Sequence, residues 1–225
     1  MSPPELELAT IVSSDFMENT YVVHQPSRTD CLVIDPGLEP EKILDYLDRQ
    51  HRTPAAILNT HGHIDHIAGN RELKRRWPNC PLVIGDGDAA KLGDARANLS
   101  ALFGASLTSP PADVTLRDGQ TYSAAGFDLE VVAVPGHSAG HVIYLWRGGN
   151  PYIAFVGDVI FAGSVGRTDF PDGDFPTLAY SIRTKLFTLP DSTILYTGHG
   201  PPTTVGTEKR GNPFVGAGWD GRQMY

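Results

Sequence analysis

Three histidines and one aspartate fall within the stretch Thr60-His61-Gly62-His63-Ile64-Asp65-His66, at the end of the short apolar run 55–60. The whole chain has only eight histidines, so three in six positions are a specific signal rather than a chance grouping. Imidazole and carboxylate groups are ligands suited to Zn²⁺ and similar dications. In an extended or turning segment His61 and His63 point the same way and can bind one ion. Asp65 and His66 lie further round the turn, within reach of a second ion. The stretch therefore predicts a metal site at the end of a buried strand.

Three later segments place further ligand-type residues at predicted strand ends. His137 follows an apolar run that ends at Val134, Asp158 follows the run 152–156, and His199 follows the run 194–197. Adjacent glycines let the backbone turn sharply and bring each side chain into a crowded site. Each segment alone is a weak signal, but their order behind the first motif predicts that all of them share one metal centre.

Composition limits the class of protein. The 225 residues fit one large domain or a tightly joined pair of similar halves, and we predict a single domain that spans 1–225. A formal net charge of −8 argues against nucleic acid as the partner. We find no signal peptide and no apolar stretch of membrane-spanning length, and we predict a cytoplasmic protein without a membrane partner. Cys31 and Cys80 are expected to be thiols rather than a disulfide.

The hydrophobic pattern predicts many short strands and a few helices, because Gly 24 and Pro 18 imply many turns. The predicted strands are 5–13, 19–25, 31–35, 55–60, 81–85, 113–116, 120–123, 127–134, 141–146, 152–156 and 193–197. The predicted helices are 40–51, 66–77, 88–93 and 177–188. We expect hairpin turns at Asp118-Gly119 and Gly148-Gly149. Residues 94–112 are interpreted as a loop bordering the site, with a low-complexity linker as the alternative. The order of elements favours an α/β fold, an αβ/βα sandwich of two facing sheets with helices outside.

Other polar residues leave alternatives open. His141 either orients a metal ligand or is a buried strand histidine with a local hydrogen bond. His24 and His51 are expected to face solvent. Asp35 is expected to hydrogen-bond loop backbone near the metals, with a plain turn aspartate as the alternative. Ser138 lacks a Gly-x-Ser-x-Gly setting and is interpreted as a turn residue rather than a nucleophile.

The order His-x-His-x-Asp-His, then His, then Asp, then Gly-His-Gly resembles the metallo-β-lactamase superfamily over about residues 10–215. Within it, the chain is similar to the short bacterial members of the glyoxalase II (hydroxyacylglutathione hydrolase) branch. The stretches that carry this likeness are 157–161, 166–170, 198–204, 208–210 and 212–214. The resemblance implies a four-layer αβ/βα sandwich with mixed sheets.

The resemblance also implies the ligand sets. His61, His63 and His137 would hold the first metal, Asp65, His66 and His199 the second, and Asp158 would bridge them. Two divalent ions are implied, with Zn²⁺ expected and Fe²⁺ and Mn²⁺ compatible with the same ligands. Three private ligands and one shared carboxylate leave an open position on each ion, as catalytic sites require. Asp65 and Asp158 are the catalytic candidates.

Arg167 is the candidate substrate-binding residue, because the glyoxalase II branch places a basic residue there, and an ordinary surface arginine is the alternative. The implied reaction is hydrolysis of S-(2-hydroxyacyl)glutathione or a related thioester by a metal-bridging hydroxide, since two dications lower the pKa of water to about 7. A positive centre in a negative protein would attract a small anionic thioester. The C-terminal helical glutathione-binding domain of longer members is not expected here.

Other activities on the same fold remain open. A persulfide dioxygenase with mononuclear iron carries a similar Gly-Arg-Thr-Asp-Phe run, which stands here at 166–170. A lactonase or β-lactamase would use the same ligands. A non-catalytic metal-binding protein is disfavoured by the open coordination positions. Metal content, oxygen uptake and hydrolysis assays discriminate among these activities. The sequence does not predict the natural acyl group or the oligomeric state.

Overall fold

The computed structural model describes residues 5–219, which contain two six-stranded sheets. The first sheet consists of β1 (Glu7–Val12), β2 (Asn19–His24), β3 (Asp30–Ile34), β4 (Thr53–Asn59), β5 (Leu82–Gly85) and β6 (Val114–Leu116), in that spatial order. Strands β1 to β3 are antiparallel, and β3 to β6 are parallel. The sheet is therefore mixed, as predicted.

The second sheet has the order β14-β13-β10-β9-β8-β7. Its strands are β7 (Thr121–Ala124), β8 (Phe127–Ala133), β9 (Val142–Trp146), β10 (Ile153–Gly157), β13 (Ile194–Thr197) and β14 (Thr203–Thr204). Only the β10–β13 pair is parallel. A separate small hairpin joins β11 (Ile160–Phe161) to β12 (Ser164–Val165).

Helices cover the outer face of each sheet. They are α1 (Pro40–Arg49), α2 (Ile64–Ile67), α3 (Asn70–Arg76), α4 (Phe175–Ser181) and α5 (Val205–Gly211). Tighter 3₁₀ helices lie at Asp86–Gly93 and Ser100–Phe103, and α4 continues into a π-helical turn at Ile182–Leu186. Helix α1 begins with a proline, which is preorganised for that position, and buries Ile43 and Leu47 one turn apart.

Three apolar layers hold the four structural layers together. Inner-face side chains of both sheets, such as Leu32 and Phe155, form the central layer. Ile43 of α1 and Leu73 of α3 pack on the outside of the first sheet, and Leu178 of α4 packs on the outside of the second. This is the predicted α/β four-layer sandwich. The helices of residues 5–219 all fall short of the length and apolar character needed to cross a membrane.

The predicted hairpin at Asp118-Gly119 is wrong. This turn lies between β6 and β7, which belong to different sheets, so the chain crosses from one sheet to the other there. The β7–β8 hairpin turns instead at Ala125-Gly126, where φ is 50° and 80°. Two successive positive φ values match the twist of paired strands. An Asp-Gly signal predicts a turn but not the pairing of the strands it joins. The turn expected at Gly148-Gly149 does join the paired strands β9 and β10.

Several predicted helices have different bounds. The predicted helix 66–77 starts at Ile64 and is divided into α2 and α3. The predicted helix 88–93 is a 3₁₀ helix that starts at Asp86. The predicted helix 177–188 starts at Phe175 and ends in the π-helical turn. The sequence did not predict β11, β12, β14 or α5, because elements this short carry little periodicity.

The expectation that His24 faces solvent is wrong, because this residue is only 4% exposed. All six residues of β2 are buried, since the strand lies between β1 and β3 and both of its faces are covered. His51 is exposed, as expected. Of the predicted single domain 1–225, residues 1–4 and 220–225 lie outside the described part, and that extent stays a prediction.

Candidate metal centre

The predicted ligands meet at the seam between the two sheets. His61 follows β4 of the first sheet, whereas Asp158 follows β10 and His199 follows β13 of the second. Backbone hydrogen bonds close this seam, from Val142 N–H to Thr60 O at 2.9 Å and from Asn19 N–H to Gly198 O at 2.7 Å. The strand ends of both sheets therefore open onto one space.

A first group consists of His61, His63 and His137, whose possible ligand nitrogens all lie within 4.8 Å of one another. His63 Nδ1 is 3.0 Å from His137 Nε2. All three side chains are buried. Burial and the neighbouring His137 lower the pKa of His63 to about 3, so its imidazole is neutral at pH 7 and keeps a lone pair for a metal.

A second group consists of Asp65, His66 and His199, again with ligand atoms within 4.8 Å. Asp65 Oδ2 is 3.3 Å from His199 Nε2 and 3.6 Å from His66 Nε2. Burial disfavours the charged form of His199, but its hydrogen bonds to Asp158 and Asp65 outweigh burial and raise its pKa to about 10. Without a metal, protons therefore occupy this group.

Asp158 lies between the two groups. Its Oδ1 is 3.3 Å from His66 Nε2, and its Oδ2 is 3.5 Å from His199 Nε2 and 3.6 Å from His137 Nε2. Burial alone would raise the pKa of Asp158, but His66 and His199 hold it well below the ordinary value. The ionised carboxylate faces both groups, as a bridging ligand would.

The donor set fits metal ions. His61 Nε2 and His63 Nε2 are buried and have no hydrogen-bond partner, whereas the buried His66 Nε2 and Asp158 Oδ1 face each other as an ion pair at 3.3 Å. A buried polar atom left without a partner costs about 1–3 kcal/mol. The nitrogen and oxygen donors are of the borderline type that zinc, iron and manganese accept. Dications at the two groups would use His61 Nε2, which has no partner, and would take the place of the proton between His66 Nε2 and Asp158 Oδ1.

Three of the histidines are oriented through their other ring nitrogen. His66 Nδ1 lies 3.2 Å from Asp35 Oδ2, His137 Nδ1 lies 2.7 Å from the Arg167 carbonyl, and His199 Nδ1 lies 3.1 Å from the Phe16 carbonyl. In a neutral ring such bonds hold the proton on Nδ1 and leave the Nε2 lone pair available to a metal. Asp35 also accepts the Thr60 N–H at 2.7 Å, as the sequence predicted for loop backbone near the metals.

His141 orients rather than ligates. Its Nε2 accepts the backbone N–H of Asp158 at 3.2 Å, and its ring stacks on His61 with centroids 4.7 Å apart. The structure therefore favours the first of the two roles that the sequence left open. Gly198 allows the close packing here, because a Cβ at that position would lie 2.1 Å from Asp158 Oδ1.

A buried polar cluster behind the first group was not predicted from the sequence. Asp88 accepts the backbone N–H groups of Gly62 and Gly140, each at 2.8 Å, and pairs with Lys91 at 3.3 Å. Ser138 donates to Asp88 and accepts from Lys91, so its hydroxyl is occupied in this cluster. In the sequence, Asp88 and Lys91 are charged residues of a short predicted helix. Such residues usually lie on a solvent-exposed face, so their burial was not predicted.

A cavity of about 330 Å³ lies above both groups, and His63, Asp65, His137, Asp158 and His199 form its polar part. The rest of its lining is Phe16, Ile64, Leu99, Phe103, Phe161, Val165, Arg167 and Phe170. Leu99 and Phe103 belong to the predicted loop 94–112, which borders the site as expected. Arg167 forms a two-point ion pair with Asp169, at 2.7 and 2.6 Å, and its guanidinium lies 4.3 Å from the Phe170 ring centroid.

Residues 14–199 match the family model of the metallo-beta-lactamase superfamily. The chain belongs to this superfamily. Over 190 residues it is 40% identical to the probable metallo-hydrolase YqgX of Bacillus subtilis, a match that covers 84% of this chain and 89% of YqgX. Over 217 residues it is 34% identical to the hydroxyacylglutathione hydrolase GloC of Haemophilus influenzae, covering 93% of this chain and 98% of GloC.

Two solved structures superpose closely on this chain. BLEG-1, a B3 metallo-beta-lactamase, gives a TM-score of 0.88 at 34% identity, covering 93% of this chain and 99% of BLEG-1. TTHA1623, solved in a di-iron-bound form, gives a TM-score of 0.81 at 34% identity, covering 92% of this chain and 100% of TTHA1623. The chain is thus a metallo-hydrolase superfamily member with a metal-binding site, and its predicted resemblance and fold are confirmed.

Proposed function

We propose that this protein is a thioester hydrolase of glyoxalase II type, acting on S-(2-hydroxyacyl)glutathione or a related small anionic thioester. One observation carries the proposal: two three-residue ligand groups share the carboxylate of Asp158 and open onto one cavity. Its relative GloC, named a hydroxyacylglutathione hydrolase, aligns over nearly its whole length.

We assign the first metal to His61, His63 and His137, the second to Asp65, His66 and His199, and the bridging position to Asp158. We propose Zn²⁺ for both positions. When bound, the ions would supply Lewis acidity toward the carbonyl and an activated water at neutral pH. Two dications with two carboxylates leave a formally positive centre, which favours an anionic substrate in a protein of net charge −8.

Other residues of the chain orient the proposed ligands and face the substrate. Asp35 holds the His66 ring, and His141 holds the backbone of Asp158. Arg167 places a guanidinium at the cavity, and we propose that it binds an anionic group of the substrate.

Hydrolysis forms one C–O bond and breaks the C–S bond, and the thiolate leaves with the bonding pair. A thiolate leaves readily, since the pKa of its conjugate acid is about 8.5, so no protein nucleophile is needed.

Steady-state hydrolysis of S-D-lactoylglutathione by zinc-loaded protein tests the proposal, with metal content measured on the same samples. We expect turnover in the wild type and a loss of at least about 10³-fold in His63→Ala, which removes a proposed metal ligand, and in Asp158→Asn, which replaces the proposed bridging carboxylate with a neutral amide. His51→Ala is the matched control, since this histidine is exposed and lies outside both groups.

Circular dichroism of each variant separates a lost site from a lost fold. Folded His63→Ala protein with full activity would overturn the ligand assignment. A wild type that carries zinc but hydrolyses no thioester would overturn the proposed reaction. Oxygen uptake with glutathione persulfide by iron-loaded protein would assign the chain to the dioxygenase alternative instead.

The likeness to BLEG-1 favours a second candidate, opening of a β-lactam ring. The same zinc-loaded protein is therefore assayed with a penicillin, a cephalosporin and a simple lactone. Turnover of a β-lactam with kcat/KM above that for the thioester would make ring opening the main activity.

A further inference from the structure

Phenylalanine dominates the apolar lining of the cavity above the candidate metal ligands. Four of the chain's nine phenylalanines line it, namely Phe16, Phe103, Phe161 and Phe170. Phe16 and Phe103 meet edge to face with centroids 5.1 Å apart, although they come from different segments. Ile64, Leu99 and Val165 complete the apolar lining. These four rings form a phenylalanine wall that begins at the candidate ligands, since the Phe170 ring centroid lies 5.4 Å from that of His63 and the Phe161 centroid 5.8 Å from that of His199.

The apolar surface continues out of the cavity. Met17 is 60% exposed beside Phe16, and Leu102 and Phe103 are 67% and 60% exposed on the bordering loop. Leu107, on the same loop, is also exposed. Exposed apolar side chains beside a cleft are typical of a ligand-binding groove. Because Phe16 and Phe103 line the same cavity as the candidate ligands, a molecule that reacts at those ligands can extend over these rings.

The cavity lining offers few cationic side chains to a substrate that carries several charged groups. Among the described residues that line the cavity, Arg167 is the only lysine or arginine, so a cationic side chain is present for one anionic group of the substrate and not for several. Glutathione carries two carboxylates and an ammonium group. Laying these groups on phenylalanine rings costs free energy, because they lose water without gaining partners.

We propose that the substrate carries an apolar arm, aromatic or extended hydrocarbon, which lies on this phenylalanine wall while the thioester carbonyl faces the metal ligands. The inference rests on the proposed thioester hydrolysis and specifies its substrate class. The arm belongs either to the acyl group or to the thiol, since both flank the carbonyl. Phe103 is then a specificity-determining residue, because its exposed ring gains contacts only with an apolar arm.

A binding experiment tests the wall without turnover. Zinc-loaded protein is titrated calorimetrically with S-methylglutathione and S-hexylglutathione, which are thioethers and cannot be hydrolysed. Each fully buried methylene strengthens binding by about fourfold, so five partly covered methylenes should tighten Kd by at least about tenfold. In Phe103→Ala that gain should fall by at least about threefold. The matched control is Tyr180→Ala, which removes a ring that is 69% exposed on α4, outside the cavity lining.

Kinetics then locate the arm. S-mandeloylglutathione is compared with S-lactoylglutathione, which varies only the acyl group. The lactoyl thioester of benzyl mercaptan is compared with that of glutathione, which varies only the thiol. In one pair we expect the apolar member to have a kcat/KM at least about fivefold higher, and Phe103→Ala to remove that preference.

The outcomes separate the two proposals. Equal or weaker binding of the hexyl thioether, or a gain that Phe103→Ala leaves intact, overturns the apolar arm even if lactoylglutathione is hydrolysed. Tighter, Phe103-dependent binding with no thioester turnover supports the wall as an apolar binding surface and overturns the proposed hydrolysis instead.

Discussion

Asp88 accepts the backbone N–H of Gly62 at 2.8 Å, although 26 residues separate them. The second oxygen of the same carboxylate accepts the N–H of Gly140 at 2.8 Å. Gly62 lies between His61 and His63, and Gly140 lies in the loop that carries His137. One buried carboxylate therefore joins the two loops that supply the first ligand group.

Asp88→Asn should destabilise the protein by about 3 kcal/mol. The amide replaces one acceptor oxygen with a donor that faces a backbone N–H, and it leaves Lys91 with Asp172 as its remaining carboxylate partner. Chemical denaturation of the metal-free protein measures this loss. Zinc affinity at the first group should fall as well, because the two loops lose their common anchor.

Asp86→Asn is the matched control for this substitution, two residues away in the same 3₁₀ helix. Asp86 is half exposed and pairs with an exposed Arg117, so the change should stay within about 0.5 kcal/mol. Equal stability of the Asp88 and Asp86 variants would show that the buried carboxylate does not hold the loops.

Asp35→Asn should weaken metal binding at the second group by about 10–100-fold. Asp35 has φ 48°, a left-handed conformation that asparagine also adopts, so the backbone is preserved. The lost interaction is the one from His66 Nδ1 to Asp35 Oδ2, which orients a proposed ligand. Competition with a chelator of known zinc affinity measures the change.

Asp45→Asn provides the comparison for Asp35, since Asp45 is exposed on α1 and its ion pair is with the exposed Arg49, one turn away at 3.0 Å. Its zinc affinity should equal that of the wild type. If both variants bind both zinc ions as tightly as the wild type, the orienting role of Asp35 is wrong.

Zinc uptake at pH 7 should release protons from the second group but not from the first. Burial lowers the pKa of His61, His63 and His137, so these rings are already neutral. Carboxylate hydrogen bonds overcome burial and raise the pKa of His199 to about 10, so this ring must lose a proton to coordinate. Apparent affinity at the second group should therefore rise with pH up to about 10.

Calorimetric zinc titrations in buffers of different ionisation enthalpy count these protons. Metal-free protein and the His199→Ala variant are compared at pH 7. We expect the variant to release at least about half a proton fewer than the wild type. Identical release in both proteins would contradict the assignment of His199 as the protonated ligand.

Neither cysteine should react with a thiol reagent in the native state at pH 8. Burial raises the pKa of Cys31 to about 12 and that of Cys80 to about 11. Each unit of pKa above pH 8 lowers the fraction of reactive thiolate about tenfold, so almost none is present. Both cysteines are free thiols in the structure, as the sequence predicted. The cytoplasmic location stays a prediction. Ellman's reagent should detect no thiol in folded protein and two after denaturation. Rapid native reaction of one thiol would reveal local opening at that cysteine.

The sequence by itself determined the α/β sandwich and the strand ends that carry the candidate histidines and aspartates. Short apolar runs and the stretch around His61 depend on local patterns, which a sequence displays directly. Asp35 was predicted for the same reason, since it ends a strand before a turn.

Only the tertiary structure decided which distant residues share a contact. Asp88 reaches Gly62 across the fold, His24 is buried because β2 lies inside a sheet, and the turn at Asp118-Gly119 joins two sheets. The aromatic wall at Phe103 is of the same kind, because its rings come from segments far apart in the chain. Burial and nonlocal hydrogen bonds depend on how layers pack, and packing leaves no periodic signal along a single chain.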